Sequence, residues 1–113
     1  IYTSSGSACA AAPVQPAYAM TKTAIHALAR HVAAKWGPQG IRANVICPGL
    51  IMTEAVEMYL DEDRKAGIMA ATPSHRLGQP KDIAAAVAFL ASDDGEFVNG
   101  QAWHVNGGKQ MRE

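Results

Sequence analysis

A chain of 113 residues has the length of one domain, and at that size folding buries about two-thirds of the surface the unfolded chain exposes, enough for one core. Apolar residues make up 49% of it and charged residues 18%, which excludes a disordered chain, and no apolar run nears the roughly 18 residues of a membrane span. Ten Lys and Arg balance ten Asp and Glu without a basic cluster, so neither nucleic acid nor an anionic membrane surface is expected as a partner.

Residues 1–3 read as the end of a strand, with Ser4, Ser5 and Gly6 as the turn after it. The chain has neither an initiating Met nor a signal pattern, and a start inside a strand reads as a cut from a longer protein. The stretch 17–36 is rich in Ala, Lys, Leu and Met and meets a stop at Gly37-Pro38, which predicts the longest helix. Ile25, Leu28, Ala29 and Val32 recur at helical spacing and form its expected apolar stripe. A β-branched run over 41–47, ended by Pro48-Gly49, predicts a buried parallel strand. Over 53–71 apolar and charged residues mix and Gly67 interrupts, which predicts short helices moving as a lid. Pro80 suits a first helical turn and Asp82 its positive end, so 80–92 reads as a helix stopped by Asp93, Asp94 and Gly95. A last strand over 101–105 closes at Asn106, Gly107 and Gly108. This alternation predicts an α/β fold with a parallel sheet, and because three strands are few for one, more sheet is expected on the N-terminal side.

Tyr18 stands four residues before Lys22 and thirteen after Ser5. Residues four apart share a helix face, so the Tyr18 hydroxyl and the Lys22 ammonium can reach one small site. A neighbouring cation favours the phenolate form that a general base needs. A serine brought in from the end of a strand can then hydrogen-bond the same carbonyl or alkoxide oxygen. The three groups suit proton transfer in carbonyl and alcohol chemistry, although the YxxxK spacing alone is common on exposed helix faces.

Four motifs in order add to that spacing. The serine thirteen residues before "YAMTKTAIHALAR" is followed by "IRANVICPGLIMT", "RLGQPKDIAAAVAFLAS" and "VNGQAWHVNGG", and over all 113 residues the chain resembles the C-terminal half of the short-chain dehydrogenase/reductase family. The resemblance implies the C-terminal half of a Rossmann-like doubly wound parallel sheet. It implies Tyr18 as general acid/base, Lys22 as the cation that assists it and hydrogen-bonds the nicotinamide ribose, and Ser5 as the group that orients the substrate oxygen. Tyr18 and Lys22 thereby also border the cofactor, beside the turn at Pro48 and Gly49, with Ile51 reaching the carboxamide through its backbone and Thr53 through its hydroxyl. The implied reaction is hydride transfer between NAD or NADP and a small-molecule secondary alcohol or ketone, in a cytoplasmic homodimer or homotetramer. Enoyl reductases of the family place their lysine further from the tyrosine, which sets them aside.

The chain departs from the pattern at Ala8, where glycine is frequent, and at Asn106, where aspartate is. None of its ten glycines falls as GxxxGxG or GxGxxG, so it offers no phosphate-binding turn and no residue to choose between NAD and NADP. His26, His31, His75 and His104 share no metal-ligand spacing with one another or with the cysteines, and no metal is expected. Cys9 and Cys47 lack a CxxC pattern and read as reduced thiols rather than a disulfide. Trp36 and Trp103 read as packing residues, and Met52, Met58 and Met69 as filler or as lining of an apolar pocket. A second functional reading is a non-catalytic remnant whose long helix and open sheet edge make it an assembly module.

Overall fold

The protein is described by a computed structural model over residues 1–111. Three parallel strands, β1 (Tyr2–Thr3), β2 (Val45–Pro48) and β3 (Ala102–Val105), form one sheet in the order β1-β2-β3. Between them run α1 (Pro16–Trp36), α2 (Glu54–Tyr59), α3 (Glu62–Ala70) and α4 (Pro80–Ala91). Tyr2 pairs with Val45, and Cys47 and Pro48 pair with His104 and Val105.

Strand alternation divides the core into two faces. Val45 and Cys47 pack with Ala29 of α1, where Ile25, Val32 and Ala33 close the contact. Ile46 points the opposite way, as does its partner Trp103, whose ring stacks on Phe89 of α4 with centroids 5.3 Å apart. Val45, Ile46 and Leu90 are almost fully buried, each contributing about 1.5–3 kcal/mol of apolar burial. Trp103 therefore packs as expected from the sequence.

Element types and order follow the sequence pattern; several boundaries do not. The strand expected over 41–47 forms only from Val45 onward, because side chains take over the hydrogen bonding before it. Asn99 Oδ1 accepts from the Ala43 amide at 2.8 Å, while Asn44 donates to the Val98 carbonyl and accepts from the Gln101 amide. Arg42 donates to the carbonyls of Leu90, Ser92 and Val98, tying down the C-terminal end of α4. Pro48 closes β2 as its last residue instead of lying beyond it. Leu28 does not join the apolar stripe of α1, since it is 48% exposed on the outer face. Gly67 lies within α3 without breaking it; the interruption falls at Leu60, after which the Asp61 carboxylate caps α3 by accepting from the Arg64 amide at 2.8 Å.

Candidate active site

The site is built where β1 passes into α1. Ser4 is buried, and its hydroxyl donates to the Lys22 carbonyl at 2.9 Å while accepting from His26 Nε2 at 2.8 Å. One residue on, Ser5 keeps an extended backbone (φ −157°, ψ 156°), so its side chain turns away from the buried side. Ser5 Oγ accepts from the Ser7 amide at 3.2 Å and caps the short 3-10 turn Gly6–Ala8. A hydroxyl that accepts there still has its own hydrogen to donate.

Pro16 occupies the first turn of α1, which puts Tyr18 at the open end of the helix, 44% exposed. Lys22, one turn later, donates from Nζ to the Thr3 carbonyl at 2.9 Å and lies 5.6 Å from the centre of the Tyr18 ring. Thr23 donates to the Ala8 and Ala19 carbonyls and so joins the Ser5 turn to the helix. Ser5 and Tyr18 line one open cleft of about 850 Å³, with Leu50 and Val56 across from them. Lys22 stands behind Tyr18 and is not among the residues lining the cleft.

Leu50 also lines a second, smaller cleft of about 260 Å³, with Ile51, Ile68, Gly78 and Asn106. Ile51 forms a parallel bridge with Gly78, and the bond runs from the Met52 amide to the Gly78 carbonyl at 2.8 Å. In such a bridge the neighbours of the central residue make the bonds, so the N–H and C=O of Ile51 face the other side. That leaves a donor and an acceptor side by side, the pair that a carboxamide requires. Gly49 lies so close to Asn106 that a Cβ there would sit 2.7 Å from the Asn106 Cα, which no side chain tolerates. Thr53 caps α2 by accepting from the Val56 amide at 3.3 Å and keeps its hydroxyl hydrogen to donate. Pro48, Gly49 and Thr53 line neither cleft directly. Met52 is buried and Met58 exposed, and neither they nor Met69 line the two clefts, whose apolar residues include Leu50, Val56 and Ile68.

Two contributions carry no sequence motif. Gln110 Nε2 donates to the Gly6 carbonyl at 3.0 Å, closing the C-terminal segment over the Ser5 turn, and Asn106 holds that segment through the Gln110 carbonyl and the Gly108 amide. Arg76, on the rim of the smaller cleft, makes a two-pronged pair with Asp82 at 2.7 and 2.8 Å. The guanidinium, and then the Gln79 amide at 2.7 Å, hold the Asp82 carboxyl well below the usual carboxylate range.

The family model described as "Enoyl-(Acyl carrier protein) reductase" matches residues 1–110. The chain belongs to the short-chain dehydrogenase/reductase family. It is 45% identical over 96 residues to the 3-oxoacyl-acyl-carrier-protein reductase FabG of Haemophilus influenzae, which covers 85% of the chain and 39% of that protein. The crystal structure of a 3-oxoacyl-acyl carrier protein reductase from Brucella melitensis superposes with a TM-score of 0.89 at 38% identity, over 97% of this chain and 41% of that one. A 7α-hydroxysteroid dehydrogenase complexed with NADH and 7-oxo glycochenodeoxycholic acid superposes with a TM-score of 0.88 at 35% identity, over 97% and 44% of the two chains. This short-chain dehydrogenase/reductase chain thus spans about two-fifths of the length of the curated relatives it matches. Among its described residues no helix is long and apolar enough to cross a membrane.

Proposed function

We propose that this chain is the C-terminal, catalytic part of an NAD(P)-dependent oxidoreductase acting on a secondary alcohol or ketone. The supporting observation is that Ser5 and Tyr18 face one cleft while Lys22 stands one turn behind the tyrosine. The dinucleotide supplies the hydride when bound. Tyr18 exchanges a proton with the substrate oxygen, and Ser5, whose hydroxyl hydrogen is left over from capping, donates to that same oxygen. Lys22 donates to the Thr3 carbonyl and places its cation 5.6 Å from the centre of the Tyr18 ring. The outward N–H and C=O of Ile51 and the hydroxyl of Thr53 suit the carboxamide of a nicotinamide, with the turn at Pro48 and Gly49 beneath it.

Reduction at a carbonyl fits better than reduction of an enoyl double bond. Only three residues separate Tyr18 from Lys22, and several of the curated relatives carry the name of 3-oxoacyl reductases. Met20 (72% exposed) and Leu28 face outward on α1 and would be covered in a two-fold dimer or a tetramer.

The test is hydride transfer from NADH or NADPH to a ketone, followed at the nicotinamide absorbance. The chain joined to a nucleotide-binding segment should turn over and its Tyr18→Phe variant should not. Residues 1–113 alone should show no turnover, since none of their ten glycines builds a phosphate-binding turn. Turnover that survives in Tyr18→Phe would overturn the role of Tyr18, and a joined chain that never turns over would leave the assembly-module reading.

A further inference from the structure

Cys9, Cys47 and His104 are far apart in sequence, yet their side-chain donor atoms all lie within 4.8 Å of one another. Each comes from a different element. Cys47 and His104 are direct partners in the β2–β3 ladder, so their side chains leave the sheet on the same face. Cys9 ends the 3-10 turn that Ser5 begins, and its Sγ lies 3.9 Å from His104 Nε2. Cys47 is fully buried, whereas Cys9 and His104 are partly exposed. His26 Nε2 stands 3.6 Å from Cys47 Sγ and joins this pocket to Ser4.

From this arrangement we propose that Cys9, Cys47 and His104 form a zinc-class metal site, with water at the fourth corner. Two sulfurs and one imidazole nitrogen form a donor set that zinc favours over magnesium or calcium. The size also fits: with bonds of about 2.3 Å to sulfur and about 2.0–2.1 Å to nitrogen, a tetrahedral ion holds its ligand atoms roughly 3.6–3.8 Å apart. The sulfur-to-imidazole distance of 3.9 Å is already near that value. Two ligands sit on paired strands, the third sits on a turn, and binding needs the donor atoms to draw together by up to about 1 Å from their 4.8 Å span. On binding, each thiol gives its proton to water, two sulfur–metal bonds and one nitrogen–metal bond form, and no electron changes hands. The ion would pin the turn that Ser5 begins to the β2–β3 pair. The site is separate from the proton-transfer groups and stands or falls independently of the proposed reaction.

Cobalt(II) is the probe, added to the metal-free, thiol-reduced protein and then displaced by zinc(II). One equivalent should bind and give the thiolate-to-cobalt charge-transfer and tetrahedral ligand-field bands, with zinc abolishing both. Cys9→Ser and Cys47→Ser should each lose the charge-transfer intensity of one sulfur, and His104→Gln should weaken binding by about tenfold or more. His31→Gln and His75→Gln, both on exposed positions, should leave the titration unchanged. Cys47 lies in the core and its variant can unfold, so Cys9→Ser, on the partly exposed turn, decides the matter. A protein that gives no charge-transfer band, or one whose band is unaltered in Cys9→Ser, would overturn the site.

Discussion

Helix α1 and the α2–α3 segment are both helical and both border the cleft, but they are held in different ways. The Tyr18 end of α1 is fastened by contacts from distant sequence: Lys22 to the Thr3 carbonyl, Ser4 to the Lys22 carbonyl, His26 to Ser4, and Thr23 to the Ala8 carbonyl. Its Ala29 is buried against β2. By contrast, α2 and α3 have no buried residue and keep their shape through local bonds: the caps at Thr53 and Asp61, and the pairs Asp61–Arg64 and Glu62–Lys65. A helix held from afar can present a reacting group in fixed geometry, while one held locally can shift as a unit over a substrate. Under the proposed function, the difference fits chemistry on the first and substrate fit on the second.

The largest effect should come from the fixed side. In the protein carrying its nucleotide-binding segment, Tyr18→Phe should lower turnover by about 10²–10⁴-fold with its melting temperature unchanged, because the ring is half exposed and keeps its packing. A steady-state assay beside a thermal melt checks both halves. Lys22→Met should reduce turnover by a smaller factor, by removing the cation held on the Thr3 carbonyl one turn behind Tyr18. Turnover unchanged in Lys22→Met would separate Lys22 from the proposed proton transfer.

Ser4 and Ser5 sharpen the comparison within two residues. Ser4→Ala removes a buried hydroxyl that bonds Lys22 and His26 and should cost about 1–3 kcal/mol by chemical denaturation. Ser5→Ala should cost less, about 0.5 kcal/mol for its cap on the short 3-10 turn, and lower turnover instead. If both variants lose stability alike, the division between the buried and the cleft-facing serine is wrong.

On the locally held side, Asp61→Ala should cost about 1 kcal/mol by loss of the α3 cap. Hydrogen exchange should accelerate over α3 and stay slow over α1. The smallest effect belongs to Asp82, whose carboxyl Arg76 and the Gln79 amide hold below its ordinary range. A depressed folded pKa contributes stability above the unfolded value of about 4, and that contribution is lost as the pH falls from there toward the folded value. Asp82→Asn should therefore be slightly less stable than the parent at pH 7, with the gap closing in acid. A gap that stays constant with pH would show that the ion pair contributes through packing alone.

Local pattern was enough to read most elements from the sequence. The 3.6-residue spacing and the Gly37-Pro38 stop marked α1, Pro80 and Asp82 marked the start of α4, and short apolar runs marked β2 and β3. The approach of Tyr18 to Lys22 was equally legible, because a four-residue separation on a helix has one geometric meaning. The outward position of Leu28 was not, since periodicity marks apolar residues without saying which neighbour covers them. The first half of the strand expected over 41–47 gave way to Asn44, Arg42 and Asn99, polar side chains whose partners lie about 50 residues away along the chain.

The sequence by itself determined the α/β order, the helix that carries Tyr18 and Lys22, and the family, because each depends on residues within one or two turns or on motifs in a row. Only the tertiary structure decided that Ser5 and Tyr18 face one cleft, that Ser4 turns inward to His26, that Gln110 closes over Gly6, and that Cys9, Cys47 and His104 meet. Those neighbours are chosen by strand register and by the packing of α1 across the sheet. Both reflect the sum of many small contacts over the whole chain, so no short stretch of sequence records them.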